Sequence, residues 1–318
     1  QQTAANMINT AILYGFNGVD IDFEEGVCNA SVSWCVNDTL VLDATSVSNY
    51  QALLSALYTY ANQITTESSG SVLYRTKFNI SAALPAGVNA MQNYVNLGGS
   101  YQTLLSNVTY GNIMAYDYHG QFDAPGGVSD ANAGLYRSAY NYGSADYEQY
   151  DDINDTLTCG TTANQCGGYQ GYFALAPNMA NKLNLGIPTY SRVENLTSAA
   201  TSNSAAIYQP IASSQTWAAQ GGGVVSYRCL YGSQYCSPAK GDDLPQALTP
   251  NNMVAWNYSS AVMTPWFYYV VGGTPYFGSY DNGQSAANKV SYANTQGLNG
   301  YFTWEIDEDI PMQDANYV

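Results

Sequence analysis

A chain of 318 residues is long enough to enclose a sizeable core, as one large domain or two modest ones. Its 46% hydrophobic and 10% charged residues are the reverse of a disordered composition. With 8 Lys+Arg against 24 Asp+Glu, a formal charge of −16, it has almost no cations to offer phosphates, which sets aside nucleic acid and anionic membrane surfaces as partners.

In chain order, residues 3–14 are predicted to form a helix with Met7, Ile8, Ala11 and Ile12 on one face. Gly15 ends it, and a strand follows over 18–24. A helix over 49–64 carries Leu53, Leu54, Leu57 and Ile64, and a strand over 77–84 is closed by Pro85. A short helix near 100–107 leads to a strand over 110–118. Residues 170–182 are expected to be helical and to feed a strand over 183–188. A helix over 285–295 and a strand over 300–305 complete the series. This alternation predicts an α/β fold of parallel strands covered by helices.

Residues 193–280 break the rhythm. They are rich in Ser, Gly, Tyr and Pro, and the apolar run 266–271 reads as a buried strand. The expected division is barrel-like sequence over 1–192 and 281–318, with a small α+β insertion over 193–280. No run reaches the ~18–20 apolar residues of a spanning helix, so no membrane insertion is expected. Neutral, hydroxyl-rich ligands remain, and 30 Tyr with 5 Trp offer flat faces for them.

The cysteines fall as Cys28/Cys35, Cys159/Cys166 and Cys229/Cys236, each pair with six residues between. One spacing used three times favours three local disulfides and an oxidising compartment. Zinc is the rival, but its clusters use closer Cys spacing with His nearby, and the single histidine, His119, is far from every pair. Asn-X-Ser/Thr sequons at Asn29, Asn37, Asn107, Asn154, Asn195 and Asn257 are expected glycan acceptors, whereas a seventh, Asn79, sits in a strand-like run and is expected to stay bare. A secreted, extracellular protein is the expectation.

The segment 18–24 reads Gly-Val-Asp-Ile-Asp-Phe-Glu. On a strand, residues two apart share a face, so Asp20, Asp22 and Glu24 point one way while Val19, Ile21 and Phe23 point the other. Three acids inside a buried strand are costly as mere structure, and their mutual repulsion should leave a proton on the row. Cleavage of an acetal needs such a proton for its leaving oxygen. An exposed acidic strand or a calcium site is the bland alternative.

With Asn17, this segment resembles the Asp-Gly-x-Asp-x-Asp-x-Glu signature of the fourth barrel strand of glycoside hydrolase family 18 chitinases, Asn17 replacing the first Asp. Residues 114–120, Met-Ala-Tyr-Asp-Tyr-His-Gly, resemble the sixth-strand Met-x-Tyr-Asp motif. Residues 185–192 resemble the seventh-strand Gly-x-Pro-x-Tyr-Gly-Arg, with Ser191 for Gly, and 302–305 resemble the last strand. The resemblance implies a TIM (β/α)8 barrel with an insertion domain, of which this sequence supplies strands four to eight. An N-terminal barrel segment or a second chain is therefore expected to close it.

It also implies roles. Glu24 is the general acid, and Asp22 orients the substrate's N-acetyl group, whose oxygen attacks the anomeric carbon in place of an enzyme nucleophile. Asp20 tunes Asp22. Tyr116 and Asp117 bind acetamido and nearby polar groups. Met114 and Trp304 line the sugar site, and Tyr190 and Arg192 border it. Chitin or chito-oligosaccharides are the implied substrate, with no cofactor and no metal. Relatives without activity typically lose the terminal Glu, so Glu24 favours a hydrolase over a lectin or structural coat protein. Trp217, Trp256 and Trp266 are read as insertion-domain core rather than sugar platforms, and His119 as a structural residue.

Overall fold

The computed structural model describes residues 1–24, 43–67, 78–142, 147–215, 223–230, 255–310 and 312. The elements run α1 (Gln2–Leu13), β1 (Gly18–Ile21), α2 (Ala44–Glu67), β2 (Asn79–Leu84), α3 (Val88–Asn96), α4 (Tyr101–Ser106), β3 (Tyr110–Ile113), α5 (Ile153–Thr158) and α6 (Tyr172–Leu175). There follow β4 (Leu183–Pro188), β5 (Tyr190–Asn195), β6 (Val224–Ser226), α7 (Tyr227–Leu230), β7 (Ala255–Ser259), β8 (Thr264–Val271), β9 (Thr274–Ser279), α8 (Gly283–Thr295) and β10 (Gly300–Trp304). One sheet has the order β1-β2-β3-β4-β10, with β1 and β10 at its ends, and the other β6-β5-β9-β8-β7.

The predicted alternation holds, with five differences, one of them the unpredicted α5. The first strand stops at Ile21 and the third at Ile113, short of the motif residues that follow them. Residues 170–182 hold only the short α6 and a 3-10 turn at Ala180–Lys182. Pro177 has no N–H to continue a helix, and Asn178 takes φ +65°. The unpredicted α3 lies just past Pro85 and Gly87, where its many Asn and Gln mask a face of Val88, Met91 and Tyr94, all buried.

The chain forms two compact units. The first comprises residues 1–114, 156–185 and 293–300. Here β1, β2, β3 and β4 pair in parallel. Ala4, Ile8 and Ala11 of α1 are buried at helical spacing, as are Val47, Tyr50, Leu54, Leu57 and Ala61 of α2. Asp43 starts α2 by accepting the Ser46 N–H at 2.6 Å.

The second unit comprises 115–155, 186–292 and 301–318. Its sheet is antiparallel and has an apolar cluster on each face. Phe267 and Tyr269 of β8 join Val193, Val225 and Leu230 on one side, and Trp266 and Tyr268 join Leu196, Ile211 and Phe277 on the other. Burial on both faces explains why 266–269 reads as continuously apolar, whereas Val270 just beyond is exposed. Gly278 belongs to this packing, because a Cβ there would lie 2.3 Å from the Phe267 ring.

Each described Lys and Arg is tied to a named partner. Lys182 Nζ donates to the carbonyls of Leu105 (2.6 Å) and Val108 (2.8 Å). Arg137 pairs with Asp155 at 2.6 Å, Arg192 with Asp117, Lys289 with Asp281, and Arg228 Nη1 with the Asp307 carbonyl. Among the described residues no helix is long and apolar enough to cross a membrane.

Candidate active site

In the first unit, β1 lies parallel to β2 with Asp20 opposite Ser81. Asp20 Oδ1 accepts from Ser81 Oγ at 2.6 Å and from Asn112 Nδ2 at 3.1 Å. The alternation outlasts the strand. Ile21 is buried and Phe23 stacks on Tyr50 of α2 at 4.4 Å, while Asp20, Asp22 and Glu24 face outward. The expectation of a buried acidic strand is therefore corrected, since all three residues are exposed. Burial, then the charges of Tyr94, Asp20 and Asp22, push the Tyr50 hydroxyl up, so the ring beneath the row stays neutral. Met114 continues from β3, half-buried, its N–H donating to the Leu84 carbonyl at 2.9 Å.

In the second unit, Tyr116 is buried, with its ring edge-on to Tyr190 (6.0 Å) and Phe302 (6.4 Å). Asp117 is half-buried at φ +60°, a conformation that Asp tolerates better than most residues. Its carboxylate is clamped: Tyr190 Oη donates to Oδ1 at 2.8 Å, and Arg192 donates Nε to Oδ1 at 2.6 Å and Nη2 to Oδ2 at 2.5 Å. Tyr190 and Arg192 were expected to border the sugar site. Tyr190 is only 4% exposed, and the polar ends of both point at Asp117 and support that residue. Burial, then the Asp117 charge, pushes the Tyr190 hydroxyl up and keeps it a donor. Trp304, at the end of β10, is 48% exposed, free to offer a face to a ligand.

Sequence reasoning missed Asn132 and Phe122. Asn132 is fully buried, and its Oδ1 accepts the Asp117 N–H at 2.9 Å while its carbonyl accepts the Tyr118 N–H. Its own N–H donates to Ser279 Oγ. A lone Asn in a loop carries no sequence signal for that task. Phe122 is 43% exposed with the Arg192 guanidinium 5.7 Å from its ring centre, and an apolar residue between Gln121 and Asp123 was the available hint.

His119 is buried, its Nδ1 3.1 Å from Asp123 Oδ2 and its ring stacked on Tyr142. Burial alone would lower its pKa, but the Asp123 hydrogen bond and the charges of Asp130, Asp123 and Asp151 outweigh it and raise it from 6.5 to about 10. A cation's raised folded-state pKa contributes stability that is full below pH 6.5 and lost as pH rises through about 10. Urea midpoints should therefore fall between these pH values, and fall less in His119→Gln. Parallel slopes for the two proteins would refute the charged pair.

Against known proteins, residues 1–309 match the profile described as glycosyl hydrolases family 18. The chain belongs to this family. The family 18 chain is 26% identical over 304 residues to a class V chitinase of Arabidopsis thaliana, covering 95% of this chain and 61% of the relative. It thus spans about three-fifths of that relative's length. A class V chitinase from Nicotiana tobaccum, solved in complex with NAG4, shares the fold at TM-score 0.64 and 21% identity, over 96% of this chain and 68% of that one. Human YKL-39, described as a pseudo-chitinase with retained chitooligosaccharide binding, does so at TM-score 0.65 and 18% identity, over 96% and 66%. The fold is the α/β barrel type of the family.

Cys159 and Cys166 are joined, with Cα atoms 5.4 Å apart. Cys229 is also disulfide-bonded; Cys28, Cys35 and Cys236 lie outside the described residues. So do Asn29, Asn37 and Trp217, and the Trp256 side chain. Trp266 is core, as read. Two expected glycan acceptors are corrected. Asn195 is 2% exposed within β5, and the Asn257 Nδ2 is buried in β7, so neither amide can be reached. Asn107 and Asn154 are half-buried, and each amide nitrogen donates a hydrogen bond, to the Thr103 carbonyl and to Asp155 Oδ1.

Proposed function

We propose that the intact protein is a secreted hydrolase of β-1,4-linked N-acetylglucosamine polymers or oligomers, acting by the substrate-assisted retaining route. The observation that carries this reading is Glu24, kept at the end of the Asp20–Asp22–Glu24 row and turned outward where a ligand can meet it. Glu24 gives its proton to the glycosidic oxygen as the bond to the anomeric carbon breaks. The substrate's acetamido oxygen closes on that carbon, and Asp22 holds the acetamido N–H as positive charge develops there. Water then attacks the same carbon and yields its proton to Glu24, which restores the acid and retains the configuration.

The family resemblance assigns Tyr116 and Asp117 to polar groups of a sugar and Trp304 to the face of its ring. The clamp from Tyr190 and Arg192 fixes Asp117 in advance, so its orientation costs nothing on binding. The Cys159–Cys166 disulfide supports an oxidising compartment. A binding protein without catalysis is the second reading, favoured by the likeness to YKL-39.

The test is hydrolysis of a chromogenic N-acetyl-chitobiose substrate by the intact protein, with chito-oligosaccharide binding measured in parallel. Turnover supports the hydrolase. Binding without turnover supports the lectin, and neither would dismiss both.

A further inference from the structure

Four side chains of the first unit form one hydrogen-bonded line across its parallel sheet. Asn299 Nδ2 donates to Asn184 Oδ1 at 2.8 Å, and Asn184 Nδ2 donates to Asn112 Oδ1 at 2.8 Å. Asn112 Nδ2 in turn donates to Asp20 Oδ1 at 3.1 Å, the oxygen that also takes the Ser81 hydroxyl. Every donor points the same way, so the line ends on a group that only accepts, and the aligned amides polarise one another toward it.

The last link is the unusual one. Asn112 is on β3 and Asp20 on β1, with β2 between them. Adjacent strands lie about 4.8 Å apart, so the two backbones are roughly 10 Å apart and the side chains must meet over β2. They can do so because β2 carries Ser81 and Ala83 on that face, two residues apart and both small. Asn112 and Asn184 are direct cross-strand partners, so register, not chance rotamers, brings the amides into line.

We propose that Asn112, backed by Asn184 and Asn299, is a positioning residue that fixes the Asp20 carboxylate and through it the neighbouring Asp22. The inference rests on the role given to Asp20 in the hydrolase reading. Loss of the line leaves the Asp20 carboxylate freer to rotate, so that it no longer holds Asp22 in one orientation.

Two measurements on the intact protein test it, with Asn112→Leu as the main variant and the exposed Asn299→Ala as a milder one. The first is kcat and KM on the chromogenic substrate. In Asn112→Leu, kcat falls by up to about 100-fold, the cost of a misplaced catalytic group, while KM stays near the parent's. Asn299→Ala lowers kcat by less. An active parent whose variants keep its kcat overturns the proposal while leaving the hydrolase reading intact. The second is the carboxyl carbon resonance of Asp20, assigned with Asp20→Asn. It must change in position in Asn112→Leu, which removes the amide bonded to Asp20 Oδ1, whether or not the parent turns over substrate. If the parent is inactive, the hydrolase reading fails, and an unchanged Asp20 resonance overturns the positioning line separately.

Discussion

Glu24→Gln is expected to lower kcat by about 100- to 10,000-fold, the usual contribution of a positioned general acid. Glutamine keeps the length and hydrogen-bonding reach of Glu24 but cannot release a proton to the leaving oxygen. Because Glu24 is exposed and follows the Phe23 anchor rather than forming part of the core, the variant should fold as the parent does. Chito-oligosaccharide affinity should therefore stay within a few-fold of the parent's, and the loss should fall on kcat. Thermal unfolding of both proteins gives the control. A variant that retains more than a tenth of the parent's turnover would remove Glu24 from the acid's role.

The largest stability effect should come from Lys289→Ala. Lys289 is fully buried on α8, and its ammonium contacts Asp281, itself 5% exposed. Burial lowers the Lys289 pKa while Asp281 acts against that fall. Removing the ammonium strands a carboxylate whose other oxygen is already buried without a hydrogen bond. Breaking a buried pair by deleting one partner costs about 3–5 kcal/mol. For a chain of this size each kcal/mol is worth roughly 2–4 °C, so Tm should drop by about 6–20 °C. The double variant Lys289→Met with Asp281→Leu should recover most of it, because neither charge then has to be desolvated. Calorimetry on the three proteins decides the matter, and a single variant within about 1 °C of the parent would contradict it.

The parts of the fold legible in the sequence were those written in short-range periodicity. α1 and α2 carry apolar residues at helical spacing, and 266–269 is apolar because both faces are covered. The acid row was legible in type and in side but not in burial. Alternation says which residues share a face, whereas exposure depends on what lies over that face, as the outward carboxylates and the buried Ile21 illustrate. The helix expected over 170–182 failed at Pro177, where one missing donor outweighed the apolar spacing around it. Tyr190 and Arg192 were found as motif residues, yet their task depends on a partner 73 and 75 positions away in the chain. Asn132 was invisible for the same reason, since nothing local distinguishes a buried Asn that receives a backbone N–H from one in an ordinary turn.

Because the described lysines and arginines are engaged with carbonyls or carboxylates, little of their charge is left to offset the remaining acids. The colloidal behaviour of such a molecule is that of a polyanion. Copies repel one another at low ionic strength, and the repulsion shortens to about 10 Å in 0.1 M salt. Among the described residues, Lys182 and Lys289 help to hold the protein together, so amine-directed coupling at either would disturb those bonds. Carboxyl-directed coupling, on a chain with 24 Asp+Glu, leaves those anchors alone.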